Sequence, residues 1–118
     1  MFSILVVEGD EAHALLLQTI LEKYAQVIIC LQGQQISELL QKSEFDLVIM
    51  SLRFQGIDTW SMMEKIRSRT SAPILVVTAY VDEQSKKRAF EMGCNAYLTK
   101  PYKIAELTTL VKSLLTLE

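Results

Sequence analysis

The chain has 118 residues, of which half are hydrophobic, and a formal net charge of −2. This length and composition fit one compact domain, residues 1–118, with enough apolar side chains for a core. Charges of both signs are interspersed without a basic block, which argues against direct DNA or RNA binding, and no apolar run approaches the ~20 residues of a membrane helix. We therefore expect a soluble cytoplasmic domain.

Short apolar runs and amphipathic stretches alternate along the chain. The first half is predicted to contain a strand at Ile4–Val7, a helix with Ala14, Leu17, Leu21 and Tyr24 on one face, a strand at Val27–Cys30, a helix at Gln34–Lys42 and a strand at Phe45–Met50. The second half is predicted to contain a helix at Thr59–Arg69, a strand at Ile74–Val77, a helix at Glu83–Met92, a strand at Ala96–Leu98 and a helix with Ile104, Leu107, Val111 and Leu114 on one face. Continuously apolar strands that alternate with helices predict an α/β fold, a doubly wound parallel sheet of five strands with helices on both faces.

The strand ends carry the polar residues of interest. In a doubly wound sheet, ligands bind at the carboxyl ends of the strands. These ends present Glu8, Gly9 and Asp10, then Ser51, then Thr78 and Ala79, and finally Lys100 and Pro101. Carboxylates suit Mg²⁺, whereas a lysine and a hydroxyl suit phosphate oxygens, so this edge favours a metal-assisted phosphoryl site.

Four motifs at these positions resemble the receiver domains of two-component response regulators. They are, in order, ILVVEGDEAHALLL, FDLVIMSLRFQGID, PILVVTAY and GCNAYLTKPY. The resemblance covers essentially the whole chain and implies the flavodoxin-like receiver fold with strand order 2-1-3-4-5. In that family a histidine kinase transfers a phosphoryl group to an aspartate with the help of Mg²⁺.

The resemblance fails at the residues that perform this chemistry. Ser51 stands where the family carries the phosphoacceptor aspartate, and Gly9 replaces one of two metal-binding acids beside Glu8. The other matches are retained. Thr78 and the small Ala79 match the phosphate-contacting hydroxyl and its neighbour, Tyr97 the aromatic switch residue, and Lys100 the phosphate-bridging lysine, with a cis bond expected before Pro101. We therefore predict an atypical pseudo-receiver with no catalytic residue.

The missing acids change the expected chemistry of the cleft. A neutral serine is a poor nucleophile without an adjacent base, and Mg²⁺ sites are usually anchored by carboxylates. We expect no resident cofactor or metal and only weak Mg²⁺ binding through Glu8 and Asp10. Lys100, without its aspartate, is predicted to pair with Glu8. His13 is predicted to be an exposed helical residue rather than a general base.

Several residues keep two interpretations. Ser51 is either a small residue that caps the pocket or a phosphosite. Thr78 and Lys100 have structural or ligand-binding roles, and Tyr97 is either core or switch. Asp58 is predicted to cap the third helix rather than to act in catalysis.

The leading prediction is a phosphorylation-independent interaction module, not an enzyme, in signalling or transcriptional control. Its partner is a histidine kinase, an output domain or a second copy, contacted through the fourth helix, fifth strand and fifth helix. This face carries Lys86, Lys87, Arg88, Glu91, Asn95, Lys103 and Glu106. The alternative is a residual phosphotransfer receiver that binds Mg²⁺ and is modified on Ser51 or another side chain. A flavodoxin-like cofactor binder is disfavoured because no strand-end loop is rich enough in Gly, Ser or Thr to cradle a phosphate.

Overall fold

The computed structural model describes residues 1–116. The strands are β1 (Phe2–Val7), β2 (Ala25–Cys30), β3 (Leu47–Met50), β4 (Ile74–Thr78) and β5 (Ala96–Thr99). The helices are α1 (Glu11–Leu21), α2 (Ile36–Lys42), α3 (Thr59–Arg69), α4 (Glu83–Glu91) and α5 (Ile104–Leu115), with a short 3₁₀ turn at Gly33–Gln35 before α2. All strand pairs are parallel, and the strand order β2-β1-β3-β4-β5 is the predicted one.

Both faces of the sheet are covered, as the continuously apolar strands predicted. Leu5 and Val7 of β1 belong to the core layer that packs against α2, α3 and α4. Ile4 and Val6 point the other way, into the layer that packs against α1 and α5. Because successive side chains of a strand alternate between faces, this double burial requires an apolar residue at every position.

Most element boundaries differ by one or two residues from the sequence prediction, and three residues are placed differently from what their pattern indicated. Phe45 is buried in the core, but β3 begins only at Leu47. Tyr24 lies after the end of α1 and packs against the core from the following turn. Ile104 was expected on the apolar face of α5 but is 57% exposed, since it is the first residue of that helix and Leu107 is the first to reach the sheet.

Aspartates start three of the helices and thereby shape the strand-end loops. Asp10, Asp58 and Asp82 each accept hydrogen bonds from backbone N–H groups in the first turns of α1, α3 and α4. The predicted capping role of Asp58 is thus confirmed, as is the cis bond between Lys100 and Pro101. Within residues 1–116 no helix is long and apolar enough to cross a bilayer.

Candidate functional site

A cleft of about 810 Å³ lies at the carboxyl ends of the strands. Its lining includes the predicted site residues Glu8, Gly9, Asp10, Ser51, Ala79 and Lys100, together with Arg53, Phe54, Asp58, Trp60 and Tyr80. Among the described residues, Thr78, Tyr97 and Pro101 lie outside this lining. The parallel topology therefore brings together most of the predicted site, and it adds aromatic walls that the sequence motifs did not indicate.

Glu8 is the electrostatic centre of the cleft. It follows the last residue of β1 and is only 3% exposed. One carboxylate oxygen, Oε1, accepts a hydrogen bond from Lys100 Nζ at 3.1 Å, while Oε2 accepts one from the backbone N–H of Asp10 at 3.2 Å. The predicted pairing of Glu8 with Lys100 is therefore confirmed. Burial raises the pKa of Glu8, but hydrogen bonds from His13, Asp10 and Lys100 outweigh burial and leave that pKa below its ordinary value.

His13 corrects the sequence prediction, because its side chain is only 11% exposed. Its Nδ1 lies 2.5 Å from Glu8 Oε1, and its Nε2 lies 2.8 Å from the hydroxyl of Tyr102. The prediction of an exposed residue was wrong because α1 begins at Glu11, only three residues after Glu8, so that His13 in its first turn reaches the Glu8 carboxylate. Burial, and then the negative charge of Glu8, raise the pKa of Tyr102, which keeps its hydroxyl protonated.

Glu8, His13, Lys100 and Tyr102 form one connected group, which we call the Glu8 cluster. Sequence reasoning found Glu8 and Lys100 and missed the other two members. Tyr102 comes two residues after Lys100 and His13 five residues after Glu8, so both lie just beyond strand ends at the same edge of the sheet. Their position in the first turn after a strand end is the sequence signal that indicates these two residues.

Ser51 is almost completely buried, at 3% exposure. Its Oγ accepts a hydrogen bond from the backbone N–H of Arg53 at 3.1 Å and donates one to the carbonyl oxygen of Arg53 at 3.3 Å. This is the local turn geometry that serine hydroxyls commonly adopt after a strand. In the described structure both partners of the hydroxyl are thus backbone atoms, and neither is a base that activates it.

An aromatic ring stands beside Gly9. A Cβ atom added at Gly9 would lie 3.2 Å from Phe54 Cδ1, and Phe54 is 8% exposed. The place where a second acidic side chain would extend is therefore walled by an apolar ring. Phe54 belongs to the loop between β3 and α3, whose path has no sequence signature, so motif reasoning had no means of placing this ring.

The donor set does not fit the Mg²⁺ that the sequence resemblance implies. Mg²⁺ takes hard oxygen ligands in near-octahedral geometry, usually with one or two carboxylates. Here Gly9 contributes no side-chain oxygen, the Ser51 hydroxyl is neutral, and the Glu8 carboxylate already has three donors. Among residues 1–116, no three His, Cys, Asp or Glu side chains are arranged to hold a metal ion.

Thr78 and Tyr97 act on the same backbone unit. Thr78 is completely buried, and its Oγ1 accepts a hydrogen bond from the N–H of Tyr80 at 3.2 Å. The hydroxyl of Tyr97 donates to the carbonyl oxygen of Tyr80 at 2.9 Å. Burial, and then the charges of Asp82 and Cys94, raise the pKa of Tyr97 to about 12, so this donor stays protonated. Both polar backbone groups of Tyr80 are therefore held, which fixes the loop between β4 and α4.

The predicted interaction residues on α4, β5 and α5 are all exposed, yet three of them have partners within the chain. The guanidinium of Arg88 lies 4.3 Å from the centre of the Trp60 ring. Asn95 accepts a hydrogen bond from the N–H of Ile74, and Glu106 accepts one from the N–H of Lys103 at the start of α5. Large apolar side chains are also exposed on α4 and the loop before it, namely Val81 at 70% and Phe90 at 43%.

Comparison with known proteins gives consistent matches. The family model for the response regulator receiver domain matches residues 4–112. The uncharacterized transcriptional regulatory protein YvcP of Bacillus subtilis is 34% identical, covering 98% of this chain and 49% of YvcP. The probable transcriptional regulator ycf29 of Porphyra purpurea is 29% identical, covering 97% of this chain and 56% of the relative. The chain thus spans about half the length of these curated relatives.

Solved structures agree in fold. The non-phosphorylated HemR receiver domain from Leptospira biflexa superposes with a TM-score of 0.92 at 27% identity, covering 100% of this chain and 97% of the other. A two-component response regulator from Clostridium difficile gives a TM-score of 0.92 at 27% identity, covering 98% and 96% of the two chains.

Proposed function

The chain belongs to the response regulator receiver family of two-component signalling, and from this premise we propose that it is a receiver whose signalling state does not depend on aspartyl phosphate. One observation carries the proposal. The residue at the acceptor position, Ser51, is a buried hydroxyl that is hydrogen-bonded to the backbone of Arg53 on both its donor and its acceptor side.

Phosphoryl transfer to a receiver needs an ionised nucleophile and a cation that neutralises the developing charge. Serine supplies the first only when a base removes its proton, and the hydrogen bonds of Ser51 lead to backbone atoms instead. The second requires a carboxylate pair, of which Gly9 removes one member while Phe54 fills the adjacent space. Both requirements therefore fail at the same end of the sheet.

Lys100 supplies the positive charge that the cation would otherwise bring. Its ammonium group lies 3.1 Å from Glu8, whose carboxylate is almost entirely withdrawn from water. An ion pair at this depth is charge-balanced without Mg²⁺, whereas an unpaired carboxylate there would be costly. We propose that this pair replaces the metal-centred cluster of conventional receivers.

We further propose that the domain signals through protein contacts on α4, β5 and α5. Exposed Val81 and Phe90 supply apolar contact area, and exposed Lys86, Lys87 and Glu91 supply charges of both signs. Mixed charge suits a symmetric contact with a second copy as well as an output domain or a histidine kinase. A partner shifts the conformation only if it binds the two states of the Tyr80 loop with different affinities.

The experiment is intact-protein mass spectrometry after incubation with acetyl phosphate and Mg²⁺. The matched control is the Gly9→Asp/Ser51→Asp variant, which restores both the acceptor carboxylate and the second acid of the cleft and should gain the phosphoryl mass. We expect the natural chain to gain no phosphoryl mass, even in the presence of excess acetyl phosphate. A stoichiometric phosphoryl adduct on the natural chain would contradict the proposal.

One observation favours a second function, residual phosphotransfer. Asp10 and Glu8 both line the cleft that also contains Ser51, so two carboxylates remain near the acceptor position. This function predicts a Mg²⁺-dependent adduct that peptide mapping places on Ser51 or on another side chain of the cleft. Absence of the adduct in the presence and absence of Mg²⁺ excludes it.

A further inference from the structure

The Glu8 cluster joins three separate segments of the chain through one carboxylate. Glu8 Oε1 accepts hydrogen bonds from His13 of α1 and from Lys100, which follows β5. His13 also forms a hydrogen bond with Tyr102, which lies in the loop before α5. We propose that this cluster is an autoinhibitory latch, in which His13, held by Tyr102, occupies the carboxylate that an incoming cation or cationic side chain would need. The inference rests on the proposed function, because it explains what occupies the Glu8 carboxylate when neither phosphate nor a cation is present.

The hydrogen-bond directions make His13 the middle of the latch. A carboxylate only accepts, so the ring donates from Nδ1 to Glu8. In the neutral ring Nε2 then accepts the hydroxyl hydrogen of Tyr102, 2.8 Å away. Each contact orients the other, because a hydrogen-bond partner at one ring nitrogen fixes the tautomer and the ring plane.

Low exposure strengthens these contacts. The side chains of Glu8, His13 and Lys100 are 3%, 11% and 27% exposed. Hydrogen bonds to an ionised group in such surroundings are roughly twice as strong as neutral ones, and they polarise one another. Loss of one member weakens the remaining contacts, so the cluster opens as a unit rather than one bond at a time.

Opening has two consequences. Glu8 Oε1 becomes available to a competing cation, because one of its two side-chain donors has left. The first turn of α1 and the segment from Lys100 to the start of α5 are released together, since Tyr102 and His13 are the polar link between them. The latch thereby couples the state of the cleft to the position of α5, which is part of the proposed interaction face.

The test is amide hydrogen exchange on the resting protein, without phosphodonor or Mg²⁺. The reporters are three hydrogen-bonded amides, namely Ala14 bonded to Asp10, Lys100 bonded to Thr78, and Leu107 bonded to Lys103. The variants are Tyr102→Phe, which removes one oxygen atom, His13→Gln and the double variant. Tyr24→Phe is the matched control, because within residues 1–116 the Tyr24 hydroxyl makes no hydrogen bond, although its ring also packs against the core layer under α1 and α5 and its ring centre lies 4.8 Å from Lys112 Nζ of α5.

We expect Tyr102→Phe to speed exchange about fivefold at all three reporters, which corresponds to the ~1 kcal/mol of one net hydrogen bond. His13→Gln should act at the same three amides, and the double variant should exceed neither single variant by much. Tyr24→Phe should leave all three reporters unchanged. Acceleration confined to the segment that carries each substitution, or multiplicative effects in the double variant, would overturn the latch.

Failure of the latch in the exchange experiment is distinguishable from failure of the proposed function. Exchange is measured without phosphodonor, so independent segments would refute the latch while leaving the mass-spectrometric test of Ser51 unaffected. A phosphoryl adduct on the natural chain would refute the proposed function and leave the coupling between the reporters as measured.

Discussion

Lys100→Met isolates the ion pair that we propose replaces the metal. The substitution keeps an unbranched apolar stem and removes only the ammonium group that lies 3.1 Å from Glu8. Glu8 then remains buried with two of its three donors, His13 and the backbone N–H of Asp10. The protein should fold, but with an ionised carboxylate that is less well compensated.

The magnitude follows from burial. Removing one partner of a fully buried pair costs about 3–5 kcal/mol, but Lys100 is 27% exposed and His13 still donates to Glu8, so we expect a loss of about 1–2 kcal/mol. In a domain of this size, that corresponds to a fall in Tm of roughly 4–8 °C.

The loss should depend on pH. The pKa of Glu8 is lowered in the folded protein. Its ionised form therefore stabilises the fold at pH values above the ordinary pKa of a glutamate, about 4.3, and this stabilisation disappears as pH falls through the lowered pKa of the folded state. Without Lys100 that pKa is lowered less. The free-energy difference between the natural chain and the variant should therefore be full at neutral pH and vanish once Glu8 is protonated.

The assay is urea unfolding of the natural chain, Lys100→Met, Glu8→Gln and the double variant at neutral and acidic pH. If the pair exists in solution, the double variant loses less stability than the sum of the single variants. Additive losses together with a pH-independent cost of Lys100→Met would refute the reasoning.

Three further predictions concern the cleft and its supports. Gly9→Ala should change the free energy of unfolding little, because the 3.2 Å contact with Phe54 opposes the gain from a less flexible unfolded chain. Gly9→Asp should lower the free energy of unfolding by about 1 kcal/mol, because the new carboxylate is repelled by Glu8. Urea titration resolves this difference, and equal losses in the two variants would contradict the prediction. Asp58→Ala should lower the urea midpoint of unfolding, since the carboxylate accepts two backbone N–H bonds at the start of α3, and unchanged urea stability would exclude this cap. Burial raises the pKa of the Cys94 thiol to about 11, so iodoacetamide should label Cys94 in the native protein far more slowly than in urea; rapid native labelling would contradict its burial.

The sequence predicted which residues meet, because parallel topology determines where strands end. Glu8, Ser51 and Lys100 each directly follow a predicted strand or lie within two residues of its end, and the rule that such ends share one edge brought them into one cleft. The capping role of Asp58 was equally readable, since an aspartate before a helical pattern has a specific physical function. These predictions depend on local pattern and topology alone.

The missed features depend on side-chain direction and loop path. His13 was predicted to be exposed because a single polar residue in a first helical turn has no pattern that reveals a tertiary partner. Phe54 was missed because the loop between β3 and α3 carries no period from which the ring's direction could be read. Ile104 was placed on the buried face by spacing, yet it is the first residue of α5 and its side chain is exposed.

The most direct test of the central claim is an amide NMR comparison of the natural chain with the Gly9→Asp/Ser51→Asp variant, each with and without Mg²⁺ and acetyl phosphate. We predict that the natural chain gives the same spectrum in all conditions, while the variant shifts around Glu8, Thr78, Tyr97 and Lys100. That outcome would mean that the switch elements are intact and that only the phosphoryl chemistry is missing. Shifts of the natural chain at these same amides would show that the cleft still binds the cation or the phosphodonor, and would contradict the account.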